Sequence, residues 1–314
     1  SGQAVVDGLV EKGFDVVTID LNWHEDWATL LRGANIDVAF LALHGRLGED
    51  GCVQGLCEVL KIPYTGSGVL ASALSMDKVK AKELFHHHNV PTPPYYTVSV
   101  QDDLTEIDKI HGSFGFPVIV KPRREGSSLG IARADNPTTL IDAIVAARQF
   151  DDEVLVERYL VAREVNVGIL DGRVLGAIEV APKNGIYDYE AKYEPGMTEY
   201  FMPVRLPTTR YFGVLNLAER AVRALGCTGA CRVDLLVTEG ENEHVLEINT
   251  LPGMTRTSLL PKIAHAAGYD FPDLCEAIVL SAKLHAASRP HIAQCTRNES
   301  RENTALTKTF ARAV

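Results

Sequence analysis

The sequence predicts an α/β protein in which a doubly wound parallel-sheet domain is followed by two smaller α+β units. Three stretches carry this expectation. Residues 36–43, IDVAFLAL, form an almost continuous apolar run, the mark of a parallel strand buried on both faces. Residues 116–122, FPVIVKP, and 154–160, VLVERYL, read as strands and bracket a loop of arginine, glycine and serine. Residues 231–238, CRVDLLVT, and 244–249, HVLEIN, are short strands joined by the turn-forming cluster Glu239-Gly240-Glu241-Asn242.

Residues 1 to about 75 alternate helix and strand as a doubly wound domain requires. An apolar-patterned helix from Ala4 ends at Gly13, FDVVTI (14–19) is a strand, and Trp27 to Leu31 is a short amphipathic helix. The strand at 36–43 runs into His44-Gly45-Arg46-Leu47-Gly48-Glu49-Asp50-Gly51, a polar loop at the strand's carboxyl end, where open α/β sheets bind ligands. His44 beside two acids reads either as a ligand contact or as a satisfied loop residue. No G-x-G-x-x-G follows a strand, which argues against a nicotinamide site. Tyr64-Thr65-Gly66-Ser67-Gly68 is weak evidence of anything beyond a turn.

A second unit spans about 76–165. Met76-Asp77-Lys78 opens a helix that reaches His86-His87-His88; successive helical side chains diverge, so a solvated face is expected there. Pro91, Pro93 and Pro94 stop it. The strand at 116–122 delivers Lys121 ahead of the loop Arg123-Arg124-Glu125-Gly126-Ser127-Ser128-Leu129-Gly130 and a further strand, IARA. Such a loop can fold over a polyphosphate with backbone and hydroxyl donors, or be a solvated hairpin. It is not a Walker loop, which lies between strand and helix. Lys78 and Lys121 would neutralise phosphate charge.

The third unit, about 166–285, begins with EVNVGIL and RVLGAIEV, joined by Asp171-Gly172. An aperiodic loop at 184–193 carries three tyrosines and is expected to be a lid. A helix from about Thr209 to Leu225 leads into the hairpin, and Pro272 to His285 is the last patterned helix. Residues 286–314 are polar and aperiodic, expected as a disordered tail.

The hairpin holds the chemistry. Alternation puts Arg232 and Asp234 on one face, with Glu247 and Asn249 on one face of the other strand. A turn centred on Gly240-Glu241 sets Asp234 opposite Glu247 and Arg232 opposite Asn249. The same register pairs Val233 with Ile248 and Leu235 with Leu246 on the reverse face. Opposed like charges destabilise a sheet by roughly 0.2–1 kcal/mol, and a hard divalent cation would reverse that sign. Carboxylate and amide oxygens suit Mg²⁺ or Mn²⁺ shared with phosphate and water. A solvated polar face is the other reading. Leu251-Pro252-Gly253-Met254-Thr255 favours the metal–phosphate site, because a rigid turn there exposes backbone N–H groups beside the acids.

The 314 residues are 46% apolar and 23% charged, ordinary for a soluble globular chain. A formal charge of −10 argues against nucleic-acid and anionic-membrane partners. Six cysteines form no C-x-x-C pair and read as reduced core residues. No run approaches the ~20 apolar residues of a membrane span and no secretory leader is visible, so a cytoplasmic location is expected.

Taken together, ALHGRLGEDG (42–51), YTGSGVLASALSMDK (64–78), PVIVKPRREGSSLG (117–130), YDYEAKY (187–193), RVD (232–234) and LEINTLPGMTRTS (246–258) resemble the D-alanine–D-alanine ligases, an ATP-grasp family, from residue 1 to about 285. The resemblance implies a two-part ATP-grasp fold after the first domain. It also implies a reaction in which ATP phosphorylates one D-alanine and the amine of a second attacks the acyl phosphate. By the same resemblance, Lys78 and Lys121 hold ATP phosphates, Glu157 and Leu160 flank adenine, and Glu164 meets the ribose. Asp234, Glu247 and Asn249 bind two Mg²⁺ or Mn²⁺ ions. Arg232 and the Gly253 backbone stabilise developing charge. Ser127, Tyr193 and Ser258 position the D-alanines, Lys192 reaches the γ-phosphate, and His44 lies near the first D-alanine. Tyr193 goes with dipeptide formation, whereas phenylalanine there goes with D-alanyl-D-lactate. The family commonly forms homodimers. Its members begin with a strand and a Gly-Gly-x-Ser loop carrying a glutamate, which this sequence lacks. The expectation is therefore either a trimmed sequence or a weakened ligase whose first sheet exposes an unpaired edge. Arg123, where the family usually has a small residue, is a minor departure. The alternatives are a D-alanyl-D-lactate or D-alanyl-D-serine ligase, or an ATP-binding homologue with weak activity.

Overall fold

The computed structural model describes residues 1–22, 24–183, 196–240, 242–286 and 309–313, and among these the strands form three sheets. In the first, helix α1 (Gly2–Glu11) ends at Lys12 and Gly13, whose φ of +80° is open to glycine without strain. Strand β1 (Asp15–Ile19), helix α2 (Trp27–Gly33, N-capped by the Asp26 carboxylate) and strand β2 (Val38–Leu41) follow. Two helices, α3 (Cys52–Leu60) and α4 (Val69–Met76), complete this region.

Strands β1 and β2 do not pair with each other. The strand at Thr309–Ala313 lies between them, parallel to both, in register from Asp15↔Thr309 and from Phe310↔Val38. This corrects the expectation of a disordered tail for these five residues; residues 287–308 and Val314 lie outside the described set. The backbone groups of β1 and β2 that face each other find ladder partners in the inserted strand, and among the described residues β1 ends the sheet.

Helix α5 (Lys78–His87) opens within the Met76-Asp77-Lys78 start that the sequence indicates. Asp77, with extended ψ of 96°, breaks α4 from α5 and caps the new helix by accepting the Lys80 N–H. The second sheet holds β3 (Tyr95–Ser99), β4 (Val118–Pro122), β5 (Ala132–Ala134) and β6 (Glu153–Arg158), antiparallel in the order β3-β6-β4-β5. Its apolar face packs on α6 (Ile107–His111) and on α7 (Pro137–Ala147), which opens with an Asn136–Thr139 capping box.

The third sheet holds β7 (Ala162–Leu170), β8 (Arg173–Pro182), β9 (Thr198–Phe201), β10 (Ala230–Thr238) and β11 (Glu243–Asn249), in the order β11-β10-β7-β8-β9. Helix α8 (Thr208–Leu225) buries Val214, Leu217 and Ala221 against Val165, Val167, Val233 and Leu235. On the opposite face, α9 (Leu259–Ala266) approaches β7 so closely that a Cβ at Gly168 would meet Ile263 at 3.0 Å. The last helix, α10 (Phe271–Leu280), is shorter than expected and shares a core with Val5 and Leu9 of α1, tying the first region to the third.

Candidate active site

The antiparallel β10–β11 hairpin pairs Arg232 with Asn249, Val233 with Ile248 and Asp234 with Glu247, as alternation requires. The register then shifts: Leu235 faces Val245, not Leu246. The extra residue is a bulge, which re-aims a side chain. Val245 takes the core position at 0% exposure, and Leu246 turns to line a pocket beside Leu236. Asp234 is 5% exposed. It accepts two hydrogen bonds from Arg232, Nε at 2.7 Å and a terminal nitrogen at 2.9 Å, and one from Asn249 Nδ2 at 3.0 Å. Across the ladder, Glu247 lies 3.9 Å from the Lys78 ammonium.

Two cavities meet at this face, and Glu247 lines both. The first, of about 360 Å³, gathers His44, Glu49, Lys78, Ser127, Arg232, Asn249, Gly253 and Ser258 from four separate stretches of chain. The second, of about 330 Å³, gathers Lys121, Ser128, Glu157, Leu160, Glu164, Asp234, Leu236 and Leu246. Every described residue that the sequence nominated therefore lines one cavity or the other. Lys192 and Tyr193, with the lid expected at 184–193, lie outside the described residues.

The loop between β4 and β5 divides the cavities. Ser127 and Ser128 both take left-handed backbone, φ +51° and +58°, a strained pair that points one serine to each side. The loop is fixed by ion pairs. Arg123 grips both oxygens of Asp77 at 2.7 Å and also pairs with Glu153; Arg124 reaches Asp151 at 3.3 Å. Lys78 Nζ donates to the Glu125 carbonyl, so helix α5 and the loop are joined at the cavity wall. Burial lowers the Lys78 ammonium's pKa from its ordinary value, and neighbouring Glu247 and Glu49 oppose that shift.

Tyr64-Thr65-Gly66-Ser67-Gly68 proves to be a docking edge rather than a mere turn. The Ser67 hydroxyl bonds the Thr228 backbone at 3.0 and 3.1 Å, and a Cβ at Gly229 would strike Gly66 at 2.8 Å. This holds the first region against the start of β10. At the far end, the Thr255 N–H donates to Ser258 Oγ at 3.1 Å, and Ser258 and Leu259 bring the N-terminus of α9 to the cavity. His44 stands exposed at the rim.

Sequence reasoning missed Glu49, Leu246 and Lys82. Glu49 accepts the Gly45 N–H at 2.6 Å, and burial pushes its carboxyl up to about 7, with Glu247 nearby adding to the rise. Its place in a loop at a strand's carboxyl end was the available signal. Leu246 is placed by a bulge that alternation does not encode. Lys82, one turn after Lys78, is wholly buried.

The family profile described as D-ala D-ala ligase C-terminus matches residues 84–280, and that of the D-ala D-ala ligase N-terminus matches residues 24–67. The chain is 49% identical over 285 residues to the D-alanine–D-alanine ligase of Geobacter sulfurreducens, covering 90% of this chain and 89% of that protein. The Anaeromyxobacter sp. (strain K) ligase is 47% identical over 286 residues, 91% of this chain and 92% of that protein. Among solved structures, the Bacillus anthracis D-alanine–D-alanine ligase complexed with ATP superposes with a TM-score of 0.76 at 33% identity, covering 89% of each chain. The VanG D-Ala:D-Ser ligase of Enterococcus faecalis gives 0.71 at 30% identity over 79% of this chain and 76% of that one. The two cavities joined at an acidic hairpin face, the profiles and the relatives agree: this chain belongs to the D-alanine–D-alanine ligase family, with the ATP-grasp fold.

Proposed function

We propose that the protein joins two D-alanines into D-alanyl-D-alanine at the expense of ATP, for peptidoglycan precursors. The observation that carries this reading is Glu247, which lines both cavities beside Asp234. A phosphoryl group leaving a nucleotide in the second cavity enters the first at that point. A carboxylate oxygen of the first D-alanine attacks the γ-phosphorus and ADP departs. The amine of the second D-alanine, having lost a proton, then attacks the acyl carbon. The tetrahedral adduct collapses and expels phosphate.

Lys78 and Lys121 hold the phosphates as point charges, and the backbone of the 126–130 loop covers them. Glu157, Leu160, Leu246 and Glu164 receive the base and ribose. Arg232 and the Gly253 N–H stabilise the transferring phosphoryl group and the oxyanion, where fixed donors act in a water-poor site. Ser127, Tyr193, Ser258 and the α9 N-terminus orient the amino acids, the last suited to a carboxylate. Lys192 approaches the γ-phosphate and His44 the first D-alanine.

Asp234, Glu247 and Asn249 would hold two Mg²⁺ or Mn²⁺ ions. Among the described residues no group of three or more His, Cys, Asp or Glu is gathered closely enough to bind a metal by itself. Two carboxylates and an amide leave positions for phosphate oxygens and water, the way these hard cations are usually held. When bound, the ions supply charge neutralisation between nucleotide and acceptor. Among the described residues no helix is long and apolar enough to cross a membrane. We place the enzyme in the cytoplasm, as a homodimer.

The test is D-alanine-dependent ADP release from purified protein, with the product identified by mass spectrometry. D-alanyl-D-alanine supports the reading. ADP release that requires D-lactate or D-serine as a second acceptor overturns it in favour of a depsipeptide or D-alanyl-D-serine ligase.

A further inference from the structure

Lys82 is the one lysine with no exposed surface among the described residues, and it touches neither cavity. It lies four residues after Lys78 on α5, so both point to the same side of the helix. Lys78 emerges into the first cavity. Lys82 stops behind the second. Its ammonium pairs with Glu157 Oε1, donates to the Thr92 hydroxyl, and sits 5.4 Å from the centre of the Tyr95 ring. Tyr95 is the cross-strand neighbour of Glu157, so the arrangement is set by the β3–β6 register. The other Glu157 oxygen accepts from Lys121 at 2.7 Å.

A buried ammonium that never reaches a ligand is costly to desolvate, and its pairing with Glu157 and Thr92 offsets that cost without adding a ligand contact. Burial lowers the Lys82 ammonium's pKa to about 8, still charged near neutrality. Burial alone would raise the Glu157 carboxyl, but Lys121 and Lys82 outweigh it and hold the group ionised. An ionised carboxylate only accepts hydrogen bonds. Glu157 lines the second cavity, and a carboxylate oxygen that accepts from one lysine still has a second lone pair to offer.

We infer that Lys82 is a specificity-determining positioning residue: by fixing Glu157 as a pure acceptor, it selects a purine with an amino group at C6 over one with a carbonyl there. The inference rests on reading the second cavity as the nucleotide site. A C6 amine donates to the Glu157 oxygen, whereas a C6 carbonyl meets it acceptor to acceptor. Without Lys82, Glu157 keeps a single cation, gains rotational freedom, and takes up a proton more readily. A protonated carboxyl can donate to the carbonyl base.

The experiment compares kcat and KM for ATP and for inosine triphosphate, which differs at C6, in wild type, Lys82→Met, Glu157→Gln and the double variant. Lys82→Met should raise the KM for ATP roughly tenfold, the effect of one lost charge-assisted contact. It should leave kcat and the KM for D-alanine within about twofold and narrow the ATP preference about tenfold. Glu157→Gln should narrow it similarly, and the double variant should narrow it no further, since both act through one group. Thr92→Val, which removes only the hydroxyl holding the ammonium, should give a partial narrowing. It serves as the readout if Lys82→Met does not fold. A wild-type preference for ATP that survives both Lys82→Met and Thr92→Val, while Glu157→Gln abolishes it, overturns this inference alone. A preference that Glu157→Gln also leaves intact overturns the nucleotide reading of the cavity itself.

Discussion

Replacing Asp234 by asparagine keeps the shape and removes the charge, which isolates the electrostatics of the hairpin face. Asp234 accepts two bonds from Arg232 and one from Asn249, at 2.7, 2.9 and 3.0 Å. An asparagine presents one oxygen and one NH₂, so at least one of these donors meets another donor. Removing one member of a fully buried ion pair costs about 3–5 kcal/mol. The Arg232 side chain retains 12% exposure, and Glu247 lies directly across the ladder. The expected loss is therefore smaller, about 2–3 kcal/mol, in the range of one or two charge-assisted hydrogen bonds. Stability alone does not report function, so the assay is ADP release at saturating D-alanine across a Mg²⁺ titration. Loss of a fixed group aimed at transition-state charge lowers kcat by about 10²–10³, and the Mg²⁺ response should shift to higher concentration. Turnover within about threefold of wild type, with an unchanged Mg²⁺ response, would refute the assignment of this face to metal and phosphate.

Leu246→Ala removes an apolar wall of the second cavity and should raise the KM for ATP roughly tenfold at little cost to the KM for D-alanine, the worth of burying about two methylenes; equal effects on both constants would contradict its placement. Glu49→Gln should flatten the pH dependence of stability in the ligand-free protein. The native carboxyl titrates near 7 rather than 4.5, so it binds its proton more tightly folded than unfolded, and its contribution is lost as pH rises between those values. Unfolding free energies from denaturant titrations at about pH 5 and about pH 8 should differ by less in the variant than in wild type, by on the order of 3 kcal/mol; parallel behaviour would show that Glu49 is not the group. Arg123→Ala severs the 126–130 loop from both Asp77 and Glu153 and should lower stability by about 1.5–3 kcal/mol, with faster amide exchange across the loop; exchange confined to Arg123's immediate neighbours would mean the loop is held by other contacts.

Much of the site was legible because it lies where sequence periodicity is exact. Alternation along β10 and β11 is enough to set Arg232, Asp234, Glu247 and Asn249 on one face, and an apolar strand ending in a glycine-rich loop is enough to nominate His44. What escaped depends on departures from periodicity or on distant contacts. The bulge that sends Leu246 into the second cavity adds one residue to one strand, and nothing in local propensity marks it. Lys82 reads as an ordinary helical lysine until the β3–β6 pairing brings Glu157 beneath it. The Thr309–Ala313 strand sits in a polar segment, and its pairing spans nearly the whole chain, so only the β1 and β2 ladders reveal its place.

The central claim is that a phosphoryl group crosses from one cavity to the other at Glu247 and is captured by a D-alanine carboxylate. D-alanine labelled with ¹⁸O in both carboxylate oxygens, incubated with ATP and Mg²⁺, tests this directly. Attack by a carboxylate oxygen followed by expulsion of phosphate must move one labelled oxygen into inorganic phosphate for every dipeptide formed. Phosphate carrying a single ¹⁸O is expected in step with D-alanyl-D-alanine. Unlabelled phosphate released alongside the dipeptide would contradict it.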